Sequence, residues 1–340
     1  MQEEMRHFLT LYTQTFPQRE HTHIVTCTNI STGWEGDLFC INLEYEEEGA
    51  RGSEEVILKL YYGPSGARKA QRESRSLQQC RLMGYPVPRV LFSALEDSPF
   101  GQAGVAMEKI QGHPAAHVFD RSSQEHQRAL VAQCCQRYVD LHALNWKSYL
   151  PHPKHYQKED IMPFFVALAK DASDQQLPGF FEPVIEWLQR RSQEVSSSHL
   201  SLVHGDFHLH NVIVRDDGTL VVIDWTGTHL SDYRFDLGWT LLLLRTQHSE
   251  SLATMLLEEY ERLACHRIEQ LDFFEAMACF KRLFEITVSL KSGTTALGIK
   301  PEAEKDMRQQ INHIRAVYAQ LQKRTDCSLP EIEQLILTLG

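Results

Sequence analysis

The chain has no long apolar run, no excess of positive charge and no regular cysteine framework, and each lack removes a class of protein. Its longest aliphatic stretch, "LGWTLLLL", ends at Arg245 and is too short to span a bilayer, so no membrane role is expected. Lys plus Arg number 34 against 45 Asp plus Glu, a net charge of -11. A protein that grips a nucleic-acid backbone needs the opposite balance, so no nucleic-acid partner is expected. An acidic chain tolerates a cationic ligand without requiring one. The 8 cysteines contain no CxxC pair and mostly lie in apolar segments, which fits reduced thiols of a cytoplasmic protein. There is no low-complexity tract or internal repeat. The N-terminal "MQEEMRHFLTLYTQTF" reads as a charged helix, not a secretory signal.

What the 340 residues do contain is a change of character near residue 110. Before it, "HIVTCTNI", "DLFCINLEYE" and "EVILKLYY" read as strands, with "EEEGARGSE" as a charged turn before the third. "ARKAQRESRSLQQCRLMG" reads as one helix closed by Gly84, and "YPVPRVLFSAL" and "AGVAMEKI" as two further strands. After "QGHP", long helical patterns take over. Ser122-Ser123-Gln124-Glu125 reads as a capping box opening a helix whose apolar face carries Leu130, Cys134, Tyr138 and Leu141. The expectation is an α+β chain of two lobes, residues 1–110 sheet-rich and residues 111–340 mostly helical.

One β-rich island interrupts the helical half, and it carries the chemistry. In "LVHGDFHLHNVIVRDDGTLVVIDW" the Asp217-Gly218 pair signals a hairpin. The hairpin sets Asn211, at the start of one strand, beside Asp224, at the end of the other. Asp206 precedes Asn211 by five positions, within reach of the same point. Two carboxylates and a carboxamide are hard oxygen donors, the set that suits Mg2+ shared with substrate phosphates. His204, His208 and His210 invite a zinc reading. The oxygen set beside them points elsewhere, and His204 is expected to be structural.

Asp-x4-Asn, a hairpin and a further Asp resemble the catalytic and metal loops of protein-kinase-like phosphotransferases. The variant "HGDFHLHN…VIDW", with Gly205 where protein kinases carry Arg, resembles the aminoglycoside phosphotransferase and choline kinase family, as does "SDYRFDLGW" downstream. Leu209 and His210 depart from the Pro-Gly expected there. The resemblance implies a protein-kinase-like fold and a magnesium-dependent, ATP-binding transferase. Asp206 would accept the proton of the substrate hydroxyl, Asn211 and Asp224 would hold Mg2+, and Asp236 would brace the loop.

The same resemblance makes demands on the first lobe. "VILK" supplies Lys59 on the third strand, and Glu73 in the next helix is its natural ion-pair partner; Glu54 and Glu55 stand on the wrong side. "STGWEGDLF", with Gly33 and Gly36, would be the turn over the phosphates. "VAMEKIQG" resembles the inter-lobe hinge, where backbone groups of Met107, Glu108 and Lys109 would meet the adenine edge and Gly112 would free the linker. ATP is the nucleotide expected, and backbone contacts of this kind would also allow GTP.

Between Asp224 and Asp236 there is no A-P-E and no room for a long activation segment, so the implied acceptor is a small hydroxyl compound rather than a protein. Asp232, Asp272, Glu275 and Glu285 suggest an amine-bearing substrate, of antibiotic, choline, homoserine or sugar-amine type. His142 is expected to be packed rather than catalytic, and Phe164, Phe165, Phe180 and Phe181 to be core or cleft wall. The alternative to an enzyme is a relative that binds nucleotide or ligand without transfer.

Overall fold

A computed structural model describes residues 2–30, 36–95, 98–149, 178–195, 200–293, 305 and 308–339. Gly33, Phe164 and Phe165 lie outside them. Helix α1 (Gln2–Thr15) precedes three long strands, β1 (Arg19–Asn29), β2 (Gly36–Glu47) and β3 (Ala50–Tyr61). Glu48 and Gly49 both take positive φ, 53° and 76°, between β2 and β3. That is the two-residue turn whose twist matches paired strands. Helix α2 (Gly66–Leu82) follows, then β4 (Val90–Ala94) and β5 (Gly104–Glu108). The sheet is antiparallel, in the order β1-β2-β3-β5-β4.

Alternation along β3 decides which side chains meet the cleft. Val56, Leu58 and Leu60 are buried with Phe8 and Tyr12 of α1 and with Ile41 and Leu43 of β2. Ile57 and Lys59 therefore point to the opposite face, where Ile57 joins Met107 and Val105 in the main core.

The rest is mostly helical. The chain runs through β6 (His113–Pro114) and a helix at Gln124–His142, whose buried face carries Leu130, Cys134, Tyr138 and Leu141. Its cap is Ser123, which accepts from the His126 N–H, while the Ser122 hydroxyl donates to the Val118 carbonyl. The helix thus starts one residue later than the Ser122 capping box placed it. Further helices run over Pro178–Ser192, Tyr233–Gln247, Glu250–Ala264, Leu271–Ser292, Ile311–Thr325 and Pro330–Leu339. Between the first two lie β7 (Leu200–Val203), β8 (Val212–Val214), β9 (Leu220–Val222) and β10 (His229–Asp232). Phe181 is buried in the second core, among the helices. Among the described residues no helix is long and apolar enough to cross a membrane.

Candidate active site

The hairpin does what its sequence requires, with one change. The turn runs from Arg215 to Thr219, Gly218 alone taking positive φ (80°), so Asp217-Gly218 is the end of a longer loop and not a two-residue turn. Register is kept: Val212 faces Val222, and the Ile223 N–H donates to the Asn211 carbonyl at 2.9 Å. Asn211 and Asp224 consequently stand at the same end. Asp224 adopts a left-handed backbone, φ 63°.

Asp206 sits beside them on a loop held from below by one helix face. Asp236 takes the N–H groups of His204 and Gly205 on its two oxygens, both at 2.8 Å, and also meets His142 Nε2 at 3.2 Å. One turn on, Trp239 Nε1 donates to Asp206 Oδ1 at 2.9 Å, and Thr240 donates to the Phe207 carbonyl at 2.7 Å. Positions i, i+3 and i+4 of a helix share a face, so three side chains secure consecutive loop residues. From above, Asn211 Nδ2 donates to the Asp206 carbonyl at 2.9 Å and to its Oδ2 at 3.3 Å. Burial pushes the Asp206 carboxyl up, but His208 at 3.4 Å and the Trp239 N–H hold it well below the usual carboxylate range.

Gly205 has a steric reason to be glycine. Its φ is +80°, and a Cβ there would lie 2.5 Å from the Gly227 carbonyl oxygen.

Lys59 reaches across from the sheet to join this loop. Its ammonium pairs with Asp224 Oδ1 at 2.7 Å and with Glu73 Oε2 at 3.1 Å. Glu73 also accepts from the Tyr61 hydroxyl and, through Oε1, from the Trp225 N–H at 3.0 Å, so α2 is bonded directly to the loop after Asp224. Burial pushes Glu73 up against the pull of Lys59. Burial also pushes Asp224 up, and there the Lys59 charge wins and holds it below the ordinary range. Exposure divides these carboxylates into two pairs. The side chains of Asp206 and Asp224 remain 41% and 40% exposed, whereas Glu73 and Asp236 keep 1% and 0%. The first two can receive a ligand; the second two brace.

The three histidines divide among separate contacts. His204 is buried, its Nε2 on the Ile223 carbonyl and its Nδ1 accepting from the Asp206 N–H, and burial lowers its pKa. His208 touches Asn211 and Asp206, while His210 stacks towards His248. His142 bonds Tyr260 as well as Asp236, which is the packed role its sequence context suggests.

Gly36 opens β2 so close to β3 that a Cβ would lie 2.0 Å from the Leu60 carbonyl oxygen. Met107 pairs with Ile57 and Val90 inside the sheet. The N–H of Glu108 goes to the Arg89 carbonyl and that of Lys109 to the Glu55 carbonyl; Lys109 Nζ pairs with the Glu55 carboxylate at 2.7 Å. The carboxylates expected to meet an amine are each paired with a basic side chain, Glu285 with Lys281 at 2.8 Å. Asp232 is buried on Arg234 at 2.7 Å, Glu275 lies between Arg245 and Arg324, and Asp272 pairs with Arg191 at 3.2 Å. Sequence reasoning gave Trp239 no role; its spacing of three from Asp236 was the available signal.

Fold and loops together define a kinase-like phosphotransferase, and comparison places the chain more closely. It belongs to the phosphotransferase enzyme family (APH), whose family model matches residues 27–272. A Ralstonia eutropha JMP134 protein of proposed aminoglycoside phosphotransferase activity superposes with a TM-score of 0.66 at 15% identity, over 93% of this chain and 98% of that one. Aminoglycoside phosphotransferase APH(4)-Ia, in a thermostable mutant solved with ADP and hygromycin B, gives 0.57 at 15% identity over 91% and 97%. At such identities the likeness is one of fold. Among curated proteins, rat (Rattus norvegicus) acyl-CoA dehydrogenase family member 11 is 22% identical over 292 residues, 77% of this chain and 36% of that protein. Mouse (Mus musculus) acyl-CoA dehydrogenase family member 10 is 26% identical over 254 residues, 66% of this chain and 23% of that protein. The chain thus spans about a quarter to a third of the length of these relatives.

Proposed function

We propose that the chain transfers the γ-phosphate of ATP or GTP to the hydroxyl of a small molecule, with Asp206 as the catalytic carboxylate. The observation that carries this is the convergence of Lys59, Asp206, Asn211 and Asp224, with Asp206 and Asp224 open and Glu73 and Asp236 buried beside them. Asp206 Oδ2 accepts the proton of the acceptor hydroxyl while the hydroxyl oxygen attacks the γ-phosphorus and the bond to the nucleoside diphosphate breaks. Its depressed pKa keeps it ionised and ready to orient the hydroxyl, in keeping with a transition state that needs positioning more than strong base.

The donor set fits Mg2+. Asn211 turns its Nδ2 back to Asp206, leaving Oδ1 for a cation, and Asp224 gives Oδ1 to Lys59 and Thr226, leaving Oδ2. Bound there, Mg2+ would neutralise charge on the β- and γ-phosphates. Lys59, placed by Glu73, supplies a second positive charge to the phosphates. Gly36, the first residue of β2, would lie near the phosphates, as the resemblance implies. At the hinge after Met107, the Glu108 and Lys109 N–H groups are already bonded, so the base edge would be met by other backbone groups of this segment. The two lobes join there, near residue 110, and His204 and Asp236 brace the loop. All 8 cysteines are unpaired, in keeping with a reducing, cytoplasmic setting.

Melting with and without Mg-ATP or Mg-GTP, together with ADP or GDP release on a panel of alcohols, tests this reading. Asp206→Ala is expected to keep the nucleotide-induced rise in melting temperature and lose transfer. Asp224→Ala is expected to lose the rise itself. Full turnover in Asp206→Ala would contradict the assignment.

A further inference from the structure

The helix Leu271–Ser292 packs along Tyr233–Gln247, the helix that bears Trp239. Lys281 and Arg282 are consecutive on it. The Lys281 ammonium lies 3.6 Å from the centroid of the Trp239 ring, whose N–H holds Asp206 Oδ1. One indole thus touches both this ammonium, over its face, and the Asp206 carboxylate, at its N–H. Lys281 also pairs with Glu285 at 2.8 Å, and Arg282 Nη1 approaches the same carboxylate at 4.0 Å. Arg282 Nε donates to His313 Nε2 at 3.1 Å, and Arg282 is close enough to Asp206 for the two charges to be felt. Both cationic side chains are largely covered, 18% and 14% exposed, so solvent screens them weakly.

Among the described residues, the four carboxylates singled out for an amine are each paired with a basic side chain. Asp232 is on Arg234, Glu275 on Arg245 and Arg324, Asp272 on Arg191, and Glu285 on Lys281. To use Glu285, an amine-bearing acceptor would have to take it from Lys281 and sit against the ammonium it displaced. An oxyanion reaches Lys281 with Glu285 left in place.

We propose that the alcohol phosphorylated here carries an oxyanion, a carboxylate or a phosphoryl group, recognised by Lys281, which lies over the Trp239 ring, and by its neighbour Arg282. The inference rests on phosphoryl transfer at Asp206. It sets Lys281 as a specificity-determining residue and makes this site unlike one built for polycations.

The test is steady-state ADP release from Mg-ATP with matched acceptors: glycerate and glycerol 3-phosphate beside glycerol, with choline and kanamycin as cations. The carboxylate and phosphoryl arms separate the two sources of negative charge. At least one anionic alcohol is expected to exceed its neutral analogue by about ten-fold or more in kcat/KM. Lys281→Met is expected to raise KM for that acceptor with kcat little changed, and Lys281→Arg to restore it. Preference for neutral or cationic alcohols, or a KM indifferent to Lys281→Met, overturns the inference and leaves phosphotransfer standing. So does a protein whose melting temperature rises with Mg-ATP but which turns over no anionic alcohol. No response to Mg-ATP and no turnover would remove phosphotransfer itself, and this inference with it.

Discussion

The indole N–H of Trp239 holds the Asp206 carboxylate at 2.9 Å, from the same helix face on which Asp236 and Thr240 hold the residues either side of it. A hydrogen bond to a charged group contributes about 1.5–3 kcal/mol. Trp239→Phe keeps an aromatic ring and loses that donor, so kcat/KM is expected to fall by about ten-fold or more. The lost bond favoured the ionised carboxyl, so its pKa rises and the acid limb of the pH–rate profile moves to higher pH. A pH–rate profile of the variant that overlays the wild type would argue against this role.

Gly205 and Gly227 pass too closely for any side chain. Gly205→Ala adds a Cβ at a positive φ and against the Gly227 carbonyl oxygen, and strain of this kind costs about 1–3 kcal/mol. Urea unfolding is expected to show a lower midpoint at unchanged slope, with loss of activity as the loop shifts.

Lys59→Met leaves Glu73 buried without its ammonium, and breaking a buried pair typically costs about 3–5 kcal/mol. Burial already raises the Glu73 pKa, so the variant can relieve part of this by taking up a proton. A carboxyl whose folded pKa lies above its unfolded value contributes stability at low pH and loses it as pH rises through the folded pKa. The destabilisation by Lys59→Met is therefore expected to grow from pH ~5 to pH ~8, read as the gap in melting temperature from wild type. A gap that shrinks with pH would contradict it.

Buried histidines give the wild type the opposite slope. Burial lowers His204 and His229, and burial with the Arg282 charge lowers His313 to about 4. The unfolded chain binds protons on these rings near pH ~6.5 while the folded chain does not, so stability falls as pH drops below that point. For His313 alone the loss approaches ~3 kcal/mol by pH ~4. Urea titrations at pH 7.5, 6 and 5 check the sign.

Much of this was legible in the chain because the responsible signals are local. Period-two alternation in "VILKLY" fixes the face of Lys59, and hairpin register brings Asn211 and Asp224 to one end whatever the turn type. The capping box was displaced by one residue because Ser122 and Ser123 are both competent caps, and tertiary packing chose between them. The carboxylates Asp232, Glu275 and Asp272 looked available because a sequence shows charges without their partners. Their arginines come from two residues on, or from 30, 49 and 81 residues away. Lys281 was hidden for the same reason: its nearness to Asp206 exists only through Trp239, on a different helix.

The most direct single measurement follows the label from γ-32P-ATP, with Mg2+, into an organic phosphate when the alcohol panel is supplied. Label is expected in a product with wild type and in none with Asp206→Ala, although Mg-ATP still raises the melting temperature of both. Transfer that survives Asp206→Ala, or a wild type that neither binds Mg-ATP nor moves the label, would contradict phosphoryl transfer at Asp206.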